Sequence, residues 1–201
     1  METATLLAQI NATPFTGRRR LIAIAGPPAS GKSTLAEALV KGHANMCALP
    51  MDGYHLSNDL LDARGLQSRK GAPNTFDASG FLHLIGRLKS EDDVFYPTFD
   101  RHLDASINAS GYVGSQIQTV VIEGNYLLLD HDIWRDLSDH WDLSVRLVVP
   151  QQVLVERLIA RWRHHGFNHA DAKAKAMTND IPNALTVAEH SLPADITITA
   201  D

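Results

Sequence analysis

The stretch GPPASGKST at residues 26–34 constrains this chain more than any other feature of its 201 residues. It follows the apolar run LIAIA at 21–25, which is typical of a buried strand. Residues 32–42, which begin within this stretch, have the apolar spacing of a helix that ends at Gly42. A strand, a glycine-bounded turn and a helix in this order match the G-x-x-x-x-G-K-[ST] pattern of phosphate-binding loops.

The chemistry of this loop predicts that it binds a nucleoside triphosphate. Glycine allows the backbone angles that turn successive N–H groups inward, and the following helix directs its positive dipole end at the anion. Lys32 then reaches the outer phosphates, and the Ser33 hydroxyl is placed to ligate Mg²⁺. We therefore predict ATP and Mg²⁺ as cofactors. Nucleotide binding is assigned to Gly26, Pro27, Pro28, Ala29, Ser30, Gly31, Lys32, Ser33 and Thr34.

Apolar runs alternate with helical patterns along the rest of the chain. After 21–26, strands are predicted at 46–52, 119–129 (its first part), 143–149 and 195–199, a short extended segment at 94–100, and helices at 78–90, 132–141, 151–166 and 171–180. This alternation predicts an α/β fold with three layers, in which helices cover both faces of a mostly parallel sheet. We expect a single domain over 1–201, with its ligands beyond the carboxyl ends of the strands.

Two carboxylates come at the ends of predicted strands. Asp52 follows the second strand in MDGYH, and Glu123 stands where the apolar run VVIEGNYLL breaks. One can organise the metal ion, and the other can accept a proton from an attacking hydroxyl. An Asp-Gly pair fits a simple turn equally well, so Asp52 alone leaves both interpretations open. A carboxylate in so apolar a strand as that of Glu123 is costly to bury without a cation.

The predicted helix at 151–166 carries arginines apart from its apolar stripe. Arg157 and Arg161 lie one turn apart, where like charges cost an isolated helix about a few tenths of a kcal/mol. A bound polyphosphate would turn this repulsion between the arginines into a net attraction to the ligand. We predict an arginine-bearing helical lid over roughly 157–180, with a solvated basic face as the alternative.

Composition and charge narrow the classes of partner. A formal net charge of −5 argues against a nucleic-acid surface, and the basic triplet Arg18-Arg19-Arg20 is interpreted as a solvated strand entrance. No apolar stretch approaches the ~20 residues that span a bilayer, and Met1-Glu2 begins no secretory signal pattern. With Cys47 as the single cysteine, we expect a cytoplasmic protein that binds neither nucleic acid nor membrane. Its tryptophans fit a core or an interface, which leaves a homodimer open.

Four segments together resemble the P-loop kinases of the uridine kinase, phosphoribulokinase and type I pantothenate kinase group. MDGYH is similar to the segment with the catalytic aspartate, SRKGAPNTFD (68–77) to the substrate-side loop, YPTFDRH (96–102) to the Pro-x-Tyr-Asp segment, and VVIEGNYLL to the Glu-Gly strand. The resemblance covers about 20–199 and extends to bacterial proteins described as fructose transport system kinases. Phe99 departs from the tyrosine common in the group, as does the pattern between Asp100 and Thr119.

The resemblance implies a kinase that transfers the γ-phosphoryl group of ATP to a hydroxyl of a small metabolite. It implies Asp52 as general base, Lys32 and Arg161 as catalytic cations, and Glu123 on the metal and substrate side with Ser33. It places Tyr54, His55, Arg69, Lys70, Arg101 and His102 toward the acceptor, Arg157, Arg161 and Arg163 in the lid, and Asn183 near the adenine. Fructose or another sugar, a sugar phosphate, a nucleoside and pantothenate stay open as acceptors. The second hypothesis is a regulatory ATPase without an acceptor.

Overall fold

The computed structural model describes residues 1–199. Its helices are α1 (Thr3–Ala12), α2 (Lys32–Val40), α3 (Asn58–Ala63), α4 (Ala78–Ser90), α5 (Gln151–His164), α6 (His169–Lys175) and α7 (Ile181–His190). Its strands are β1 (Arg20–Ala25), β2 (Met46–Pro50), β3 (Val94–Asp100), β4 (Ala105–Val113), β5 (Thr119–Gly124), β6 (Leu143–Val148) and β7 (Ile196–Thr199). Short 3₁₀ helices occupy Met51–Tyr54, Gln67–Arg69, Pro73–Thr75 and Asp132–His140, and a π-helix at Ala176–Asp180 joins α6 to α7. Within this part of the chain, no helix has the length and apolar character needed to cross a membrane.

Five strands form one parallel sheet in the order β2-β5-β1-β6-β7. The register places Glu123 of β5 beside Ile24 of β1 and Pro50 of β2. Asp52 follows two residues after Pro50, and the phosphate loop 26–34 follows directly after β1. The carboxyl ends of three adjacent strands therefore bring the loop and both predicted carboxylates to one edge of the sheet.

Side chains that alternate along β1 enter two different cores. Leu21 and Ala23 pack with α4, the 3₁₀ helix 132–140 and α7, whereas Ile22 and Ile24 pack with α1 and α2. Every residue of β1 after Arg20 is buried, as the apolar run predicts for a strand covered on both faces. The three-layer α/β/α architecture is confirmed.

The structure differs from the predicted elements in five places. The sequence predicts neither α1 nor α3. It also does not predict β4, which pairs antiparallel with β3 in a separate two-stranded sheet. The segment 132–141 is a 3₁₀ helix over 132–140 rather than an α-helix. The sequence also predicts a break at Pro182, but the chain stays helical there, because a proline in the first turn of a helix has no N–H that the helix needs.

The interpretation of the basic triplet as a solvated strand entrance is wrong for Arg19, because its side chain is completely buried. Its five N–H donors all bond backbone carbonyls, those of Leu88, Glu91, Asp92, Gly114 and Ile117. These carbonyls belong to the end of α4 and to the segment between β4 and β5. The buried guanidinium therefore ties three parts of the chain together at the entrance to β1.

Candidate active site

The phosphate loop adopts the backbone conformation of an anion cradle. Ala29 and Gly31 have φ angles of 62° and 94°, in the left-handed region. Left-handed residues among right-handed ones turn consecutive N–H groups into one concavity. Because α2 begins at Lys32, the N-terminus of this helix borders the same concavity. Ala29 adopts its left-handed angle without being glycine, which the sequence pattern does not indicate.

Lys32 is held across the loop by a backbone carbonyl. Its Nζ donates a 2.9 Å hydrogen bond to the Pro27 carbonyl, and only 7% of the residue is exposed. Burial lowers the pKa of Lys32, while the nearby carboxylates of Glu123 and Asp52 act in the opposite direction. The structure thus places a cation and both predicted carboxylates within electrostatic reach of one another.

Ser33 and Glu123 form an oxygen pair beside the loop. The Ser33 hydroxyl donates a 3.0 Å hydrogen bond to Glu123 Oε1. Burial raises the pKa of Glu123, and the Lys32 charge opposes that rise without cancelling it. A hydroxyl and a carboxylate are the hard oxygen ligands that Mg²⁺ prefers. The donor set therefore fits the metal ion predicted here.

Asp52 lies in the 3₁₀ turn that follows β2. Close packing around its neighbour, Gly53, explains why a glycine follows the aspartate. A Cβ added at Gly53 would lie 1.9 Å from the Pro97 carbonyl oxygen of β3, so only glycine fits between the turn and this strand. The Asp52 carboxylate lies 3.3 Å from the guanidinium of Arg101. Close packing of the β3–β4 hairpin on this turn therefore accounts for the glycine, and it brings Arg101 to the aspartate.

A single cleft of about 780 Å³ joins the phosphate loop to the predicted acceptor side. The predicted residues on its walls are Pro28, Ala29, Gly31, Lys32, Ser33, Thr34, Asp52, His55, Lys70, Arg101, Glu123, Arg161 and Asn183. The predicted residues outside its walls are Gly26, Pro27, Ser30, Tyr54, Arg69, His102 and Arg157. The first three belong to the loop itself, where Gly26 packs against β6 at Leu147.

Four of the predicted ligand-binding positions either contact other residues of the chain or lie outside the cleft walls. Tyr54 packs its ring edge-on against Phe81 at 5.2 Å, and burial raises the pKa of its phenol to about 12. The exposed side chain of His102 lies outside the cleft walls. Arg69 and Asn183 bond each other at 3.1 Å, and Arg69 also donates to the Thr178 carbonyl. Asn183 thus contacts the substrate-side loop through Arg69, and it also lines the cleft.

The predicted lid contacts the cleft and the phosphate loop. Arg161 of α5 lines the wall, and Arg157 Nη1 donates to the Ala29 carbonyl of the phosphate loop at 3.4 Å. Trp162 donates a 2.6 Å hydrogen bond from its indole nitrogen to Asp180. This bond ties α5 to the π-helix, a local geometry that often occurs at functional sites. Arg163 is exposed and does not line the cleft.

The cleft also contains Phe76, Phe99 and Asp104, to which the sequence assigns no role. The His55 imidazole lies between Phe76 and Phe99, at ring-centre distances of 4.0 and 4.8 Å. Asp104, in the turn between β3 and β4, pairs with Lys70 at 2.9 Å. Asp104 was not identifiable because the signal for its hairpin is weak. The aromatic residues at 76 and 99 stand in segments that the sequence does place beside the acceptor.

Comparisons with known proteins agree with this geometry. The chain is 35% identical to "Uncharacterized protein YggC" of Escherichia coli over 187 residues, which are 90% of this chain and 78% of that protein. It is 32% identical to "Putative uridine kinase C227.14" of Schizosaccharomyces pombe over 198 residues, which are 90% of this chain and 83% of that protein. No family model matches the chain.

A solved structure matches almost the whole chain. The crystal structure of a "putative fructose transport system kinase" from Silicibacter sp. TM1040 superposes with a TM-score of 0.95 at 45% identity, over 98% of this chain and 99% of that one. The two chains thus share their fold over almost their whole length. The chain belongs to the P-loop kinases, in the group that includes uridine kinase, pantothenate kinase and phosphoribulokinase.

Proposed function

We propose that this chain is an ATP-dependent kinase that transfers the γ-phosphoryl group to a hydroxyl of a small metabolite, with fructose or another sugar as a candidate acceptor. The observation that carries the proposal is the shared cleft, in which Lys32, the Ser33–Glu123 pair and Asp52 line one space of about 780 Å³. The relatives named as kinases support phosphoryl transfer as the class of reaction.

The phosphate loop and the carboxylates have different roles in phosphoryl transfer. N–H groups of 26–34 and the Lys32 ammonium would bind the β- and γ-phosphates, and Ser33 with Glu123 would hold Mg²⁺. When bound, the metal ion neutralises charge that develops on the phosphate oxygens. The acceptor oxygen forms a bond to the γ-phosphorus as the bond to the ADP oxygen breaks, and its proton passes to the Asp52 carboxylate.

Arg161 and the helices around it complete the site. Its guanidinium lines the cleft beside the phosphate loop, where it can stabilise charge on the transferring group. Closure of the segment 157–180 over the cleft would exclude water, which otherwise competes with the acceptor for the phosphoryl group. We therefore assign 157–180 as a lid within a single kinase domain.

The Asp52→Asn variant tests the proposal directly. An amide cannot take the acceptor proton at neutral pH, so phosphoryl transfer should fall by a factor of ~10²–10⁴ while ATP titrations stay unchanged. The matched control is Asp62→Asn, an exposed acid of α3 that lies outside the cleft walls. Full turnover in Asp52→Asn would remove the aspartate from this role. ATP hydrolysis by the unaltered chain that no acceptor changes would favour the regulatory ATPase.

A further inference from the structure

The cations on the acceptor side of the cleft are already engaged. We define the acceptor side as Asp52, His55, Lys70, Phe76, Phe99, Arg101 and Asp104. The Lys70 ammonium has three donors, and three acceptors surround it: Asn58 Oδ1 at 2.7 Å, the Asp104 carbonyl at 2.8 Å and Asp104 Oδ2 at 2.9 Å. Its side chain is 16% exposed. Lys70 therefore has no donor left for a ligand.

The two arginines that the sequence places near the acceptor are also paired. Arg69 bonds Thr178 and Asn183 and lies outside the cleft walls. Arg101 lies 3.3 Å from Asp52, so its charge is balanced by that carboxylate. On the acceptor side as defined, two acids thus face two cations, and no positive charge is in excess. This arrangement does not favour an acceptor with a phosphate or carboxylate group.

The remaining polar groups of the acceptor side accept hydrogen bonds. His55 Nδ1 lies 2.8 Å from the Asp52 carbonyl, which can only accept, so Nδ1 carries the proton and Nε2 is left as an acceptor. Burial lowers the pKa of His55, which keeps the ring neutral. Burial opposes ionisation of Asp104, but hydrogen bonds from Lys70 and Asn58 hold its pKa below the usual range. His55 Nε2 and the carboxylates of Asp52 and Asp104 can thus accept hydrogen bonds from hydroxyl groups of a ligand.

Aromatic side chains form an apolar wall beside these hydrogen-bond acceptors. The ring of His55 is held between Phe76 and Phe99. The Lys70 ammonium lies 5.1 Å from the centre of the Phe99 ring, which fixes the turn of the hairpin against this wall. A ligand with C–H groups on one side and several hydroxyls on the other matches both surfaces.

We propose that the phosphoryl acceptor is an uncharged polyhydroxy compound, and that Asp104 is a specificity residue whose carboxylate accepts a second hydroxyl while Asp52 receives the reacting one. The inference rests on the proposed kinase activity and deepens it. Asp104 performs two tasks here. It offers a carboxylate to a hydroxyl donor, and it neutralises Lys70, which would otherwise attract anionic acceptors.

Matched pairs of acceptors test the class of substrate. A ketohexose, an aldopentose, a pentitol and a nucleoside are each assayed with ATP and Mg²⁺ beside their own phosphomonoesters, and product is detected directly. We expect kcat/KM for the uncharged member of an active pair to exceed that of its phosphomonoester at least tenfold. Preference for the phosphomonoester overturns the inference and leaves the kinase proposal intact. Failure of every compound, with ATP hydrolysis unaffected, overturns both.

The Asp104→Asn variant tests the residue. Asp104 has a φ of 49°, which asparagine also tolerates, so the turn is preserved. KM for the uncharged acceptor should rise about tenfold or more with little change in KM for ATP, because a charge-assisted hydrogen bond is lost. The phosphomonoester should become a better substrate, because Lys70 is then uncompensated. Asp62→Asn should change neither value, and an unaltered acceptor KM in Asp104→Asn would exclude the assigned role.

Discussion

The guanidinium of Arg101 lies 3.3 Å from the carboxylate of Asp52, in a pair whose side chains are 57% and 33% exposed. Pairs so open to solvent contribute about 0–1 kcal/mol to stability, so folding does not explain this contact. Its position at the predicted base favours a role in orientation. The hairpin that carries Arg101 is held on the Asp52 turn by the close approach of Pro97 to Gly53.

Replacement of Arg101 by glutamine should therefore separate activity from stability. We expect kcat/KM for the acceptor to fall about tenfold, because Asp52 loses its charged hydrogen-bond partner. The thermal unfolding midpoint should stay close to that of the unaltered chain. The control is Arg135→Gln, which breaks an exposed pair with Asp130 outside the cleft walls. Equal activity of the two variants would show that Arg101 does not orient the base.

Glu123→Gln should stabilise the nucleotide-free protein while removing its activity. Burial raises the pKa of Glu123 even with Lys32 nearby, so the charged form is less favourable in the folded state than in the unfolded state. An amide of the same shape removes that penalty, and we expect a gain of about 0.5–2 kcal/mol in the free energy of unfolding. Turnover should fall at least ~10²-fold, because the amide is a weaker ligand for Mg²⁺.

Denaturant unfolding with and without Mg²⁺–ATP checks this prediction. The unaltered chain should be stabilised by the ligands, whereas Glu123→Gln should be stabilised much less. Glu37→Gln, an exposed position on α2, is the matched control. A variant that loses stability without ligand, yet keeps its turnover, would contradict both halves of the argument.

His55 should give the stability a measurable pH dependence. Burial lowers the pKa of His55 below its ordinary value of 6.5. Between 6.5 and the lowered pKa, the unfolded state binds the proton and the folded state does not, so the free energy of unfolding falls as the pH falls. The slope for one group is at most about 1.4 kcal/mol per pH unit.

The measurement compares the unaltered chain with His55→Gln from pH 7.5 to pH 5. The other histidines titrate in both proteins, so the difference between the two curves isolates His55. The advantage of histidine over glutamine should shrink as the pH falls below 6.5. The urea midpoints at each pH report it, and parallel curves would mean that His55 titrates as an exposed histidine does.

The sequence was sufficient to predict the sheet and its active edge. Runs such as LIAIA are apolar at every position, as a strand covered on both faces requires, and a glycine-bounded loop with Lys32 and Ser33 leaves few alternatives. Glu123 was identifiable because a carboxylate interrupts such a run. Parallel register alone then brings it beside β2 and β1.

The acceptor side was less accessible from sequence, because its contacts are long-range. Lys70 is neutralised by Asp104, 34 residues away, and Arg69 is hydrogen-bonded to Asn183, 114 residues away. A basic residue in a loop has the same sequence signature whether it faces a ligand or a carbonyl of its own chain. The hairpin of β3 and β4 was missed because its exposed positions in β4 carry few of the apolar residues that mark a strand.

Arg19 shows the same limit at the other end of the sheet. Within Arg18-Arg19-Arg20 the three side chains are chemically identical, yet Arg19 is fully buried and Arg18 is 39% exposed beside Asp92. Only the fold decides which of them meets carbonyls, since α4 and the segment between β4 and β5 converge on Arg19 alone. Five carbonyls would lose partners if this side chain were removed.

Arg19→Lys should therefore destabilise the protein strongly, although it keeps the charge. Lysine has three donors against five, so at least two buried carbonyls lose their partners, at a cost of about 1–3 kcal/mol each. We expect a total loss of about 2–6 kcal/mol in urea unfolding, with kcat unchanged for the folded fraction because Arg19 lies outside the cleft walls. Arg18→Lys, the adjacent control, should lose no more than about 1 kcal/mol. Equal losses at both positions would show that the carbonyl network contributes little beyond the charge.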